Sequence, residues 1–322
     1  MTRTARRRWS REFSGEIDGI FAGKSGPVFL HGYDPPVGGK WIDSVIPGKL
    51  GAFDRSSGET LWMCPCEVGY GRGFGAGLGS EDDVVVLGPG IKGKHRIARM
   101  SIGTGELLGA SEIEPFDIAL VGGDMSVTVT PARVAGIMTA AMIEVWSYKR
   151  DGERYHLIGR DGSHVHVAYT DTNEKRQGVL SLDVESGEER VLLIAPDYHV
   201  IHEILAGDGL LLLLSGRPGV RRGQQELTLE AFSTRTGEAV PLWKERVAMN
   251  SADDLPDISV SLDSGKLYVA SGALLEVRDG LSGRALGEVA LPGLDERIAW
   301  QVSQGAGILA EETRASIFEI PA

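Results

Sequence analysis

The chain has 322 residues, 44 of them glycine, with hydrophobic residues at 42% and a formal net charge of −12. That acidity argues against general nucleic-acid binding. No apolar stretch is long enough to span a bilayer, the longest being the run at 210–214.

The N-terminal arm carries Arg3, Arg6, Arg7, Arg8 and Arg11 and starts like the n-region of a targeting peptide, but no hydrophobic h-region follows. Residues 1–8 are expected to form a basic tail, with a single folded domain over 9–322, and the expected compartment is the cytoplasm. Trp9 sits in a segment that resembles the one around Trp62.

A seven-residue phrase then begins at Asp54: Asp54-Arg55-Ser56-Ser57-Gly58-Glu59-Thr60. It returns around Gly105 (Ser101-Ile102-Gly103-Thr104-Gly105-Glu106), around Gly187 (Asp183-Val184-Glu185-Ser186-Gly187-Glu188), at Gly237 and at Gly283. A worn copy, Tyr148-Lys149-Arg150-Asp151-Gly152-Glu153, fills the wide gap. The glycines at 58, 105, 152, 187, 237 and 283 are separated by 47, 47, 35, 50 and 46 residues. Steps of this size are those of propeller blades. Apolar runs flank each phrase, as in Leu50-Gly51-Ala52-Phe53 before and Leu61-Trp62 after the first. The pattern predicts two short strands joined by a tight turn, with glycine at a φ > 0 position and Asp or Ser accepting hydrogen bonds from the turn backbone.

A second signal recurs independently. Small or acidic residues precede a strongly apolar strand at Gly26, Asp83, Asp124, Gly162, Gly209, Gly265 and Gly307. Two signals per unit give four strands per blade and seven blades, with six or eight as the alternatives. The last segment, 315–321, reads as a third strand with no phrase after it. The missing fourth strand is expected from the N-terminus near Trp9, a closure that leaves no free sheet edge. The fold class is therefore all-β: a seven-bladed β-propeller of four-stranded antiparallel blades, closed by an N-terminal strand that completes the last blade.

Both phrase turns of neighbouring blades fall on one face of such a fold. The opposite face is built from the loops between second and third strands and those entering each blade. These are irregular here. Blade 1 carries a loop running from Gly32 and Tyr33 through Pro35 and Pro36 to Trp41. Blade 2 carries Lys92, Lys94, His95 and Arg96; blade 4 carries Lys175 and Arg176; blade 5 carries Arg217, Arg221 and Arg222. Long loops on a rigid scaffold are where binding concentrates. The reading is a locally basic face with two exposed aromatics, Tyr33 and Trp41, suited to an acidic protein surface or an anionic ligand.

The glycine run 69–79 enters blade 2 on that face. Its strict alternation does not satisfy G-x-G-x-x-G, and no Lys-Ser/Thr pair makes a P-loop. It reads either as a strand pressed against a neighbouring backbone or as a loop presenting Tyr70, Arg72 and Phe74. Cys64 and Cys66 alternate along a strand and read as packing thiols. His164 and His166, two apart on a strand, can point to one face, and with His156, His199 or His202 they are a weak metal-site signal. No G-x-S-x-G elbow or H-E-x-x-H motif is present.

The phrase [DS]-x-x-[ST]-G-[ER], with its alternating strand before and Leu-Trp after, resembles the PQQ-like (pyrroloquinoline-quinone-type) propeller repeat, best at 50–62 and 179–194 and poorest at 137–158. That family includes quinone-dependent alcohol dehydrogenases and cofactor-free scaffolds, among them the lipoprotein of the outer-membrane protein assembly machine. The dehydrogenases pair adjacent cysteines over the quinone and carry acidic calcium ligands; here Pro65 separates the cysteines and no matching ligand set is found. The resemblance implies a propeller used as a binding platform, with no quinone and no other cofactor or metal. The expected function is a non-catalytic scaffold or accessory subunit that docks another protein with an acidic surface, with no nucleic acid and no membrane span. The expected contact residues are Tyr33, Trp41, Tyr70, Arg72, Phe74, Lys92, Lys94, Arg96, Arg217, Arg221 and Arg222. The alternative is a propeller lyase or hydrolase acting on a small or sugar-like substrate at the channel mouth.

Overall fold

The computed structural model describes residues 2–23, 25–35, 46–71, 73–90, 94–195, 199–218, 224–251, 258–293 and 299–321. Every regular element among them is a β-strand, and the strands form seven sheets, each a four-stranded antiparallel blade of a seven-bladed β-propeller, one of them with a short fifth strand added. In sequence order the first blade is Glu16–Ala22, Val28–Tyr33, Ile46–Phe53 and Thr60–Tyr70. In six blades the four strands neighbour one another in chain order, so the connections inside them are hairpins; the seventh takes one strand from the other end of the chain.

Composition explains the layering. The second strands of blades 1 and 2, Val28–Tyr33 and Asp83–Pro89, are strongly apolar and buried along their whole lengths. Alternate side chains point to opposite faces of a strand, so continuous burial means that both faces are covered. The second strands follow the second sequence signal, and several are entered through two-residue turns with both φ values positive: Asp208 and Gly209 at 55° and 75°, Ser264 and Gly265 at 52° and 72°. Such type I′ turns match the right-handed twist of a hairpin.

The phrases form the turns between third and fourth strands. In the first, Asp54 Oδ1 accepts from the Ser56 and Ser57 backbone N–H groups at 3.0 and 2.7 Å, and the Gly58 N–H donates to Asp54 O at 2.9 Å. Hydrogen bonds from the Ser56 hydroxyl and the Ser57 N–H hold the Asp54 carboxyl down to about 2. Asp183 and Asp279 repeat the arrangement. The worn copy at 148–153 does not. Blade 3 turns instead at 139–142, between Arg133–Met138 and Ile143–Tyr148, and Asp151-Gly152 links it to the first strand of blade 4. Asp-Gly suits any tight turn, so the local residues do not distinguish a hairpin inside a blade from a link between blades.

Contacts divide the chain into two compact units: residues 3–128, 136–145 and 291–322, and residues 129–135 and 146–290 with Thr2. The first unit holds the closure. Arg6–Glu12 pairs antiparallel with Arg314–Glu319, so an N-terminal strand completes the seventh blade as its fourth strand. Residues 1–8 are accordingly not all tail, since Arg6, Arg7 and Arg8 belong to that strand and Arg3–Thr4 is a short strand of its own.

In this unit Trp9 lies over Gly58 and Trp62 over Gly105, each indole N–H donating to the carbonyl three residues before the glycine: Arg55 O at 2.9 Å and Ile102 O at 2.7 Å. A Cβ on either glycine would come within 2.6 Å of the indole. Glycine therefore serves twice, for the left-handed turn and for the close approach of the ring. The second unit repeats the pairing, with Trp146 on Gly187 and Trp243 on Gly283. Apolar clusters fill the space between successive blades within each unit, such as Phe29, Leu50, Trp62, Val84 and Met100 in the first and Leu212, Leu229, Val260 and Leu267 in the second.

Candidate functional site

The second strand of blade 1 ends at Tyr33. Its ring is 6% exposed rather than displayed at the surface. Two contacts pull it in: the hydroxyl donates to Glu16 Oε2 at 2.6 Å, and the ring lies 4.1 Å from that of Tyr70. Burial and the Glu16 carboxylate push the Tyr33 phenol well above its ordinary range. Tyr70, at the end of the fourth strand, keeps 39% of its surface exposed. Tyr33 thus acts as the anchored half of an aromatic pair whose open half is Tyr70.

Beneath the pair lies His31, fully buried. Its Nδ1 is 2.5 Å from Asp18 Oδ1 and its Nε2 is 3.1 Å from Val68 O, so each ring nitrogen faces an acceptor. Only the imidazolium donates at both positions. Burial alone would lower the pKa of His31, but hydrogen bonds to Asp18 and Cys66 outweigh it and raise the group to about 10. The charged ring ties the first, second and fourth strands of blade 1 together. Phe74 stacks on it at 4.4 Å and fits over Gly19, where a Cβ would meet the ring at 2.6 Å. Phe74 is therefore half-buried packing for His31 more than a presented side chain.

Of the predicted contact residues, the described basic ones are ion-paired. Lys94 meets Glu112 at 2.5 Å, Arg96 meets Glu67, and Arg217 meets Glu226 at 2.9 Å. Lys49, near the pair of tyrosines, meets Asp34 at 2.6 Å. The local excess of positive charge read from the loops is offset by carboxylates on adjacent strands, which linear spacing does not reveal. Trp41, Arg72, Lys92, Arg221 and Arg222 lie outside the described residues. In the glycine run, Gly75 and Gly77 face the backbone and side chains of Ala119 and Val121, where a Cβ would come within 2.6 and 2.9 Å. That part of the run is a strand pressed against a neighbouring blade.

Cys64 and Cys66 are free thiols, half-buried and buried, that pack in the cluster around Trp62. Burial pushes the Cys64 thiol up to about 11, which keeps it protonated and unreactive at neutral pH. His164 is exposed and His166 buried. Among the described residues no group of three or more His, Cys, Asp or Glu side chains is placed to hold a metal ion.

No known family pattern and no curated protein matches the chain. Solved structures do. The Kuenenia stuttgartiensis hydrazine synthase chain superposes with a TM-score of 0.63 at 10% identity, over 96% of each chain. BamB from Moraxella catarrhalis superposes with a TM-score of 0.51 at 14% identity, over 98% of this chain and 100% of that one. The computationally designed Ika8 protein gives 0.53 at 15% identity, again over 98% and 100%. The likeness is one of fold. An enzyme, BamB and a designed protein on one architecture show why function has to be argued from the side chains.

Proposed function

We propose that this protein is a protein-interaction scaffold that docks a partner through the blade 1 and blade 2 loops around Tyr70. The observation that carries this reading is the Tyr33–Tyr70 pair: one ring is held by Glu16, and the other lies tilted against it and keeps part of its surface exposed. A rigid, half-exposed tyrosine loses little side-chain entropy on binding and offers both an apolar face and a hydroxyl, the profile of an interface anchor. The paired charges Lys49–Asp34 and Lys94–Glu112 belong to the same two blades and supply both signs for orienting a partner. The partner is a protein with an apolar spot matched to Tyr70 and charges of both signs matched to these pairs.

The test is affinity capture of the tagged chain from its native cells, compared with Tyr70→Ala and Tyr70→Phe. A stoichiometric partner is expected with the parent chain and with Tyr70→Phe. Its affinity for Tyr70→Ala is expected to fall by about 2 kcal/mol, roughly thirty-fold. Equal retention by Tyr70→Ala would remove this surface as the docking site.

A further inference from the structure

In the first, third, fifth and seventh blades a fourth-strand tryptophan covers the phrase glycine of the blade that follows: Trp62 on Gly105, Trp146 on Gly187, Trp243 on Gly283 and Trp9 on Gly58. Blade 4 departs from this. Its fourth strand, Glu189–Ile194, places Arg190 over Gly237, where the guanidinium donates to Gly237 O. A slim, charged side chain stands where an indole would fill the space. An open cavity of about 40 Å³ remains, lined by Arg190, Gly237, Thr234, Ser181, His164 and His166. By the measure that a single water needs about 10–15 Å³, this holds more than one water and admits a small ion.

The lining polar groups are unevenly committed. Asp161, whose carboxylate also lines the cavity, accepts one hydrogen bond per oxygen, from the Gly209 N–H at 3.1 Å and from the Thr234 hydroxyl at 2.8 Å. His166 is 2% exposed, and neither of its ring nitrogens has a partner. A buried polar group left unpaired costs about 1–3 kcal/mol, so an occupant that satisfies it recovers that energy. Burial lowers the pKa of His166 to about 4, so the ring is neutral, with one N–H to donate and one nitrogen to accept. The Ser181 hydroxyl beside it is also buried.

We propose that this cavity between blades 4 and 5 is a binding site for a small oxyanion. Arg190 supplies the charge, and the His166 N–H and the Ser181 hydroxyl supply directed donors. A carboxylate or a phosphate accepts all three, and the planar guanidinium suits either group. A hydrogen phosphate also carries a hydroxyl to donate to the second His166 nitrogen. The site is independent of the docking surface around Tyr70, because it uses none of the same residues.

The experiment is a titration of the full-length chain with inorganic phosphate and, separately, with sodium acetate. It is followed by calorimetry and by the ring resonances of His166. Saturable binding of at least one probe below roughly 10 mM is expected, with the His166 resonances shifting in step. Arg190→Gln is expected to weaken binding about ten-fold or more. Arg190→Trp, which introduces the indole found at four other junctions, is expected to abolish it while the chain stays folded. Saturation by phosphate alone identifies a phosphate site and by acetate alone a carboxylate site. No saturation by either probe, or binding unchanged in both Arg190 variants, overturns the proposal and leaves the cavity to water.

Discussion

Asp18→Ala is expected to destabilise the protein by about 3–5 kcal/mol, read from chemical denaturation. The reason is the state in which it leaves His31. That ring is fully buried, both its nitrogens face acceptors, and Asp18 is its counter-ion at 2.5 Å. Removing the carboxylate strands a charge in the core, or forces the ring to give up its Nδ1 proton and leaves that buried nitrogen unpaired while Nε2 still donates to Val68 O. Asp18→Asn keeps the shape and one acceptor, and should cost less.

The same pair sets a pH dependence. The folded pKa of His31 is raised to about 10 from an ordinary 6.5, so its contribution is fully present below pH 6.5 and is lost as pH rises through about 10. Denaturation of the parent chain and of His31→Asn between pH 6 and 10 should show a declining stability difference. A constant difference across that range would mean that the ring is neutral in the folded chain.

Trp62→Ala is expected to cost about 3–5 kcal/mol, the usual penalty for emptying a large aromatic site. Trp62 is 9% exposed, packs with Phe29 at 6.0 Å and donates to Ile102 O of the next blade. Gly105→Ala attacks the same junction from the other side. It forces a side chain into φ +71° and drives a Cβ to within 2.6 Å of the indole. The left-handed conformation alone costs about 1–2 kcal/mol, and the clash adds to it. The double variant should lose less than the sum, because an absent indole cannot be struck. Strict additivity in that cycle would show that the ring and the glycine are not coupled.

Much of the architecture is legible because its signals are local. Gly58, Gly187 and Gly283 mark turns that few other residues can make, and Asp54, Asp183 and Asp279 brace them from within the same seven residues. The likeness of the Trp9 segment to that of Trp62 places the N-terminal strand in the last blade, where it pairs with Arg314–Glu319. Locality also explains the failure in blade 3, where Asp151-Gly152 carries the residues of a turn but not its place in the sheet.

The candidate sites depend on partners far apart in sequence. Tyr33 is drawn inward by Glu16 and Tyr70, and Arg96 is neutralised by Glu67, none of which is a neighbour in the chain. His31 offers no sequence signal, since a lone histidine in an apolar strand reads the same whether charged or neutral. The cavity at blade 4 has no local signal either: Trp62 lies four residues after its phrase glycine, Trp243 six and Arg190 three, while Trp9 and Trp146 follow no phrase.

The pairing of Arg6–Glu12 with Arg314–Glu319 also governs the protein's birth. The two strands are separated by about 300 residues, and a ribosome adding about 5–20 residues per second needs roughly 15–60 s to make the second after the first. During that interval the early strand has emerged without its mate, and the last blade lacks an edge. A nascent chain in that state has an unpaired strand to offer to any neighbour. Shielding of this segment by a chaperone until synthesis reaches residue 319 would therefore decide the yield of folded protein more than the speed of any single blade.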